Sequence, residues 1–191
     1  MAAMKYFIPI ILGTVRAGRR SEHVARYVSE KMTRRPEVET KLIDIRELDL
    51  PMDDEGEPLK ERNTGYRDDI IRADAIVIVA PEYNHGYPGS LKRALDILYD
   101  EYQNKAVGII GVSAGQAGGA RMIEALLPVL RELGLVVSDE DMRVPNVEDI
   151  FGDDGMPKDT KALDKRLVPF TERLVWLAAT LRQGREQAKT S

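Results

Sequence analysis

The stretch that decides the fold is residues 75–89, AIVIVAPEYNHGYPG. Residues 75–80 are uniformly apolar, and residues 81–89 are rich in turn-forming and hydrogen-bonding side chains. A short apolar run bounded by turn residues is typical of a strand that is buried on both faces of a parallel sheet. In such sheets ligands bind where strands end and loops begin. The sequence therefore predicts an open α/β fold with a ligand site at residues 81–89.

Apolar runs alternate with amphipathic stretches on both sides of this segment. The predicted strands are residues 6–12, 40–45, 75–80, 105–112 and 135–137, and the predicted helices are residues 21–34, 90–99, 120–133 and 161–182, with another around residues 70–73. This alternation indicates a doubly wound parallel sheet of five strands in the order 2-1-3-4-5, with helices on both faces. A chain of 191 residues is expected to form a single domain, residues 1–191.

Two residues stand out against this scheme. Pro9 lies inside the first predicted strand, where proline removes a donor from the ladder, so the strand either starts after it or is locally distorted. Trp176 lies among leucines in the last predicted helix, and we expect it to belong to the core.

Composition excludes several classes of function. The net charge of −4 argues against nucleic acid as a partner, because there is no overall cationic field. The absence of cysteine removes disulfides and thiolate chemistry, and with only two histidines no metal site is expected. The apolar run at residues 6–12 is too short to span a membrane, and arginines follow it where a signal peptide would need a cleavage site. We expect a cytoplasmic protein without a membrane partner.

The loop after the first strand, residues 13–21 (GTVRAGRRS), has the features of an anion site. It leads into a helix N-terminus, where free N–H groups and the helix dipole favour a negative charge. Thr14 and Ser21 can add hydroxyl donors. Three arginines contribute positive charge: Arg16, Arg19 and Arg20. The alternative is that these arginines are solvated surface residues, although clustered cations at a helix N-terminus are unfavourable without an anion.

The ligand of this loop is predicted from what the loop lacks. Residues 13–21 contain neither the GxxxxGK[ST] pattern of nucleotide triphosphatases nor the GxGxxG pattern of dinucleotide folds. Asp44, at the end of the second strand, is interpreted as a strand-end residue because the glycines that accompany a ribose-binding carboxylate are missing. A single terminal phosphate, as on FMN, fits best.

A third loop, residues 112–119 (VSAGQAGG), follows the fourth strand. Its three glycines would let the backbone approach a flat ring closely, and the alternative is an ordinary flexible connection. The three loops would meet at the same edge of a parallel sheet.

With these motifs, the chain resembles the NADPH-dependent FMN reductase family, which has a flavodoxin-like fold. The resemblance rests on residues 13–19 (GTVRAGR), at the position of the family's Gly-Ser-x-Arg loop, and on residues 81–96 (PEYNHGYPGSLKRALD), which match its Pro-Glu-Tyr-Asn signature and the continuation of that motif. Ser113 and the glycine pair at residues 118–119 fit the third loop. Thr14 stands where serine is usual, and the similarity covers about residues 4–182, the expected core of the domain.

The resemblance implies a set of cofactor-binding residues and no catalytic side chain, because the flavin N5 would carry the chemistry. Thr14, Arg16 and Ser21 would hold the FMN phosphate. Pro81, Glu82, Tyr83 and Asn84 would run along the isoalloxazine edge mainly through backbone groups, and Ser113 and Gly115 would close the site. The resemblance also implies a homodimer or a homotetramer with the flavin near a subunit interface.

The expected activity is transfer of hydride from NADPH or NADH through FMN to a small acceptor, such as a quinone, a flavin, an azo compound or a metal oxyanion. Two alternatives stay open: a non-enzymatic electron carrier of the flavodoxin kind, and a flavin-binding sensor. Glu82 is expected to point away from a reduced flavin and to pair with a lysine or an arginine. The roles of His85 and Tyr87 are left open.

Overall fold

The computed structural model describes residues 5–51, 57–152 and 154–190. Its strands are β1 (Tyr6–Phe7), β2 (Ile10–Leu12), β3 (Val38–Glu39), β4 (Leu42–Asp44), β5 (Ala75–Pro81), β6 (Ala106–Val112), β7 (Val136–Val137) and β8 (Met142–Val144). Its helices are α1 (Ser21–Thr33), α2 (Glu57–Arg62), α3 (Thr64–Arg72), α4 (Gly89–Asp96), α5 (Ala120–Glu132), α6 (Val147–Ile150) and α7 (Thr160–Thr190).

The strands pair in parallel throughout the described part of the chain. The main sheet has the order β4-β2-β5-β6-β7, with β8 also paired to β6, and β1 pairs with β3 in a separate ladder. The predicted parallel α/β architecture is confirmed. The predicted count of five strands differs from the eight strand segments among the described residues, because the chain breaks its outer strands and its first strand into shorter pieces.

Pro9 explains the break in the first strand. β1 ends at Phe7 and β2 begins at Ile10. Toward the neighbouring segment of β3 and β4, Ile8 N–H donates to Glu39 O and Ile10 N–H donates to Lys41 O, both at 2.8 Å. On the other side the carbonyl of Pro9 still accepts from Val77 N–H at 2.9 Å. The missing proline donor therefore interrupts the regular ladder without separating the strands, which is the local distortion expected from the sequence.

The sheet separates two apolar clusters, because side chains along a strand alternate between its faces. In β5, Ile76 and Ile78 belong to one cluster, and Val77 and Val79 belong to the other. Residues from α3, α4 and α5 pack into the first cluster, and residues from α1 and α7 pack into the second. All six residues from 75 to 80 are buried, as expected for a strand covered on both faces.

α7 is positioned on the sheet by a contact between a large and a small residue. A Cβ placed on Gly108 of β6 would lie 2.6 Å from Cζ of the fully buried Phe170. The ring therefore occupies the space that the missing side chain leaves. Trp176, expected in the core, is instead 55% exposed, and the guanidinium carbon of Arg173 lies 4.6 Å from the centre of its ring. Its prediction was wrong because Trp176 lies on the face of α7 that is turned away from the sheet.

In the part of the chain that the structure covers, no helix combines the length and the apolar character needed to cross a membrane.

Candidate functional site

A cavity of about 340 Å³ lies at the carboxyl edge of the sheet. Three chain segments form most of its wall: the loop after β2, the loop after β5 and the loop after β6. Its lining residues are Arg16, Ala17, Gly18, Arg19, Arg20, Ser21, Pro81, Glu82, Tyr83, Val112, Ser113, Ala114, Val147 and Glu148. The three loops that the sequence singled out therefore meet around one cavity.

The loop after β2 begins at Gly13, where a larger residue would be tightly packed. A Cβ on Gly13 would lie 3.1 Å from both Ala80 Cβ and a methyl carbon of Leu91. The next residue, Thr14, is 1% exposed, and its hydroxyl lies 3.1 Å from the hydroxyl of Tyr83, within hydrogen-bond distance. This hydroxyl pair joins the first loop to the second.

Arg19 does not present its charge to the cavity in the way the sequence suggested. Its guanidinium binds the carboxylate of Asp44 with two nitrogens, at 2.9 Å for the Nη1–Oδ1 pair, and also donates to the carbonyl of Thr14. Its Nε donates to Glu22 at 3.3 Å. Because two carboxylates neutralise this side chain, Arg19 fixes the shape of the loop and leaves anion binding to other groups.

Asp44 has a corresponding electrostatic signature. Burial by itself would raise the pKa of this carboxyl, but hydrogen bonds from the Arg19 guanidinium and the Arg46 N–H outweigh burial and lower the pKa. The carboxylate is therefore stabilised as an anion. Asp44 is a structural residue at the strand end, as the sequence suggested.

Arg46 and Arg16 complete the outer side of the loop. Arg46 lies beyond β4, and its guanidinium donates to the carbonyls of Arg16 at 2.8 Å and Val15 at 3.3 Å. Arg16 is exposed, and its guanidinium carbon lies 5.8 Å from the centre of the Tyr83 ring. Its positive charge is therefore at the cavity mouth and accessible from solvent.

Ser21 is the first residue of α1 and is 2% exposed. Its Oγ is buried and has no hydrogen-bond partner among the described residues. A buried hydroxyl without a partner is unfavourable, and most such groups in proteins are satisfied. Ser21 is one of the residues that line the cavity, at a helix N-terminus where the dipole favours an anion. A hydrogen-bond acceptor bound in this cavity would satisfy it.

The loop after β5 folds into a tight turn. Tyr83 and Gly86 exchange both backbone hydrogen bonds at 2.9 Å, and the two residues between them, Asn84 and His85, have φ angles of 48° and 68°. Such a two-residue turn with left-handed centres favours asparagine. Tyr83 N–H is not available to a ligand, because it already donates to Gly86 O.

The turn presents a different donor. In the described part of the chain, the N–H of Asn84 has no hydrogen-bond partner, and the residue is exposed. This group can donate to a ligand lying against the turn.

Glu82 pairs with an arginine, as the sequence predicted. Its carboxylate is 5% exposed and accepts from Arg121 Nε at 2.7 Å and from Arg121 N–H at 3.2 Å. Since Arg121 lies in the first turn of α5, Glu82 both pairs with a cation and satisfies a free N–H at that helix terminus. The pair joins the second loop to the helix that follows the third.

Ser113 uses its hydroxyl within the third loop. Its Oγ donates to Gly115 O at 2.7 Å and accepts from Gly118 N–H at 2.9 Å. The same loop is joined to the segment after β8, where Asn146 N–H donates to Gly115 O and Val147 N–H donates to Ser113 O, both at 3.1 Å. The loop is therefore held in shape by its own side chain and by its neighbour.

The structure brings together six of the nine predicted site residues at the cavity wall: Arg16, Ser21, Pro81, Glu82, Tyr83 and Ser113. Thr14, Asn84 and Gly115 lie in the same three loops but outside that wall. The sequence reading missed Val147 and Glu148, which also line the cavity. The sequence signal for this fourth loop was the preceding Pro145-Asn146 pair. The strand before it, β8, has just three residues and is too short to be recognised from its pattern.

No group of three or more histidine, aspartate or glutamate side chains suited to a metal ion occurs in residues 5–51, 57–152 and 154–190.

The fold and the site define a class: open α/β proteins with a cavity between strand-end loops and the N-terminus of the first helix. Residues 7–149 match the family described as NADPH-dependent FMN reductase. The NAD(P)H-dependent FMN reductase LOT6 of Saccharomyces cerevisiae is 32% identical over 156 residues, which are 72% of this chain and 81% of the yeast protein. A quinone reductase of Pseudomonas putida is 33% identical over 120 residues, 60% of this chain and 63% of that protein.

Solved structures agree on the fold. FerB, described as a flavoenzyme NAD(P)H:(acceptor) oxidoreductase from Paracoccus denitrificans, aligns with a TM-score of 0.74 and 24% identity, over 90% of this chain and 97% of that chain. The architecture is flavodoxin-like. The chain belongs to the NADPH-dependent FMN reductase family.

Proposed function

We propose that this protein is an FMN-dependent NAD(P)H oxidoreductase that passes reducing equivalents from NADPH or NADH to small acceptors, with quinones as the first class to test. The observation that carries the proposal is the buried, unpartnered Oγ of Ser21, a residue that lines the cavity at the N-terminus of α1. Membership in a family described as FMN reductases supports it, as does the similarity to a quinone reductase.

The residues at the cavity fit the phosphate of FMN. Ser21 offers a hydroxyl donor, the N-terminus of α1 offers the positive end of its dipole, and Arg16 offers a solvent-accessible guanidinium, which suits a phosphate dianion. Thr14 would act through its contact with Tyr83, since its hydroxyl already lies 3.1 Å from the tyrosine hydroxyl. Arg19 would hold the loop in the shape that presents these donors.

The second and third loops fit the flavin ring. Asn84 N–H is available in the turn after β5, and donors at this place would stabilise negative charge on the pyrimidine edge of a reduced ring. The carboxylate of Glu82 is paired with Arg121, so its negative charge would not directly oppose the charge on a reduced ring. Gly115 and Ser113 would shape the opposite wall. Bound FMN would supply the redox chemistry, which this cysteine-free chain has no thiol to perform.

Four further expectations belong to the same proposal. Counting β1 with β2, β3 with β4 and β7 with β8 as interrupted single strands would give five strands in the order 2-1-3-4-5, in line with the flavodoxin-like fold. We expect residues 1–191 to form one domain. Assembly into a dimer or a tetramer and a cytoplasmic location stay predictions.

The test begins with FMN binding. Arg16→Ala is expected to weaken FMN binding by about tenfold or more, the effect of losing a charged hydrogen bond. Arg35→Ala is the matched control, because Arg35 pairs with Glu37 at 2.6 Å outside the cavity. Equal FMN affinity in the two variants would refute the phosphate assignment.

The second part of the test is reduction. The visible spectrum of the FMN-loaded protein is recorded without oxygen before and after adding NADPH, and quinone consumption is then followed. Bleaching of the flavin band followed by quinone turnover supports the oxidoreductase. A bound flavin that neither NADPH nor NADH reduces would instead favour the carrier or the sensor.

A further inference from the structure

A second cavity, of about 430 Å³, lies next to the candidate flavin site. The two cavities share the loop after β6: Ser113 and Ala114 line the first, and Gln116 and Ala117 line the second. The rest of the second cavity is formed by residues 140–145, which include β8, and by α7. No function described above uses this cavity.

Positive side chains from two elements surround the second cavity. Arg143 projects from β8, and Lys165 and Arg166 project from α7. Arg143 lies directly against the shared loop, since a Cβ on Gly118 would be 2.9 Å from its Cβ. Arg166 is fixed nearby, because its Nη1 donates to the carbonyl of Arg143 at 2.9 Å.

Two of these cations are available to a ligand. Among the described residues, the side chains of Arg143 and Lys165 form no ion pair, and both are exposed. Two carboxylates, Glu140 and Asp141, also line the cavity and would oppose a polyanion. The combination suits a ligand that carries one localised phosphate beside hydroxyl or amino groups, because carboxylates accept hydrogen bonds from such groups.

NADPH has this chemistry at the end remote from its nicotinamide. Its adenosine carries a 2′-phosphate, which NADH lacks, together with a ribose hydroxyl and an amino group. If the nicotinamide lies over a flavin in the first cavity, the adenosine must extend along a neighbouring surface, and the shared loop leads to the second cavity. The pyrophosphate of either nucleotide could also meet these cations, and that alternative predicts equal effects on NADPH and NADH.

Resting on the function proposed above, we propose that the second cavity binds the 2′-phosphate of NADPH, with Arg143 and Lys165 as the residues that select NADPH over NADH.

The test uses the double variant Arg143→Ala/Lys165→Ala. Alanine keeps the Cβ of Arg143 that packs against Gly118, and Lys165 is exposed, so the fold is not disturbed. Arg34→Ala/Lys161→Ala is the control, since it removes two exposed positive charges outside the cavity. The probes are 2′,5′-adenosine diphosphate and 5′-adenosine monophosphate, which lacks the 2′-phosphate, in calorimetric titrations of the FMN-loaded protein.

The wild type and the control are expected to bind 2′,5′-adenosine diphosphate about tenfold or more tightly than the monophosphate. The double variant is expected to lose that preference. In steady-state assays its KM for NADPH should rise by about tenfold, while KM for NADH and both kcat values change by less than about twofold.

The possible failures can be told apart. Absence of 2′-phosphate preference in the wild type, preference retained by the double variant, or equal increases in KM for NADPH and NADH would each overturn the assignment, even if the enzyme is active. If the preference depends on Arg143 and Lys165 but neither nucleotide reduces the flavin, the phosphate site stands and the oxidoreductase proposal fails.

Discussion

Ser21→Ala provides the sharpest test of the phosphate site, because it should change two measured quantities in opposite directions. Without a ligand, the buried Oγ of Ser21 has no partner among the described residues. An unsatisfied buried polar group costs about 1–3 kcal/mol. Removing the hydroxyl should therefore raise the free energy of unfolding of the FMN-free protein, by about 1 kcal/mol, the low end of that range, since Ser21 is among the residues that line a cavity.

FMN binding should respond in the opposite sense. A hydrogen bond from a hydroxyl to a charged phosphate contributes about 1.5–3 kcal/mol, so Ser21→Ala should raise the Kd for FMN by about 10- to 150-fold. Unfolding by urea gives the stability of the FMN-free protein, and quenching of FMN fluorescence on titration gives the Kd.

The matched control is Ser29→Ala in the same helix. Ser29 is half-buried, lies outside the cavity and loses the same hydroxyl, so the comparison removes the effect of helix propensity. Its Kd for FMN should stay within about twofold of wild type. An equal Kd for FMN in Ser21→Ala and Ser29→Ala would show that the Ser21 hydroxyl does not bind the phosphate. A loss of stability in the FMN-free Ser21→Ala protein would show that this hydroxyl is not unsatisfied without FMN.

Three further predictions concern stability. Arg19→Ala should lower the free energy of unfolding by about 3 kcal/mol at neutral pH, because it leaves the Asp44 carboxylate without the Arg19 guanidinium that neutralises it. Since the folded-state pKa of Asp44 is lowered, this difference should shrink as the pH falls below 3.8. Burial, assisted by Arg185, lowers the pKa of Lys105 to about 8 from 10.5, so wild type should gain stability between these pH values relative to Lys105→Met. Gly119→Ala should lower the Tm strongly, whereas Gly115→Ala should not.

The predictions for Lys105 and for the two glycines follow from different physical effects, and one measurement can contradict each. At pH values between 8 and 10.5 the unfolded chain binds more protons at Lys105 than the folded chain, so stability must rise with pH. Parallel urea-unfolding curves for wild type and Lys105→Met would contradict this. Gly119 has φ of 84°, and a Cβ there would lie 2.6 Å from Gly111 Cα, whereas Gly115 has open space. Similar Tm values for the two glycine variants would contradict the steric argument.

The long apolar segments made most of the fold predictable. The central strands could be predicted from residues 75–80 and 105–112, because a short, almost entirely apolar run is typical of a strand that is buried on both faces. β8 was missed because its three residues alternate between buried and exposed and follow a charged stretch. The split of the first strand could be anticipated from Pro9, but its form depends on neighbours that are distant in sequence.

The candidate site was predictable as a set of loops and much less so as a set of contacts. Arg19 looked like a phosphate ligand, but it pairs with Asp44, 25 residues away in the chain. No local pattern encodes that pairing. Tyr83 was expected to face the ligand mainly through backbone groups, yet its N–H donates within the left-handed turn at Asn84 and His85. Spacing and residue type can place a loop at the sheet edge, whereas hydrogen-bond partners are decided by the packed structure.

The contact between Phe170 and Gly108 has a consequence for how the chain is made. The last long helix covers one side of the sheet together with α1, and its residues Leu163, Leu167, Phe170, Leu174 and Ala178 are all buried there. During synthesis from the N-terminus, the part of the sheet that lies under α7 stays open to water until that helix has left the ribosome. Nascent chains that stop before residue 170 would expose the apolar surface that α7 covers in the folded protein. Such exposed surface is prone to aggregation and is where chaperones act.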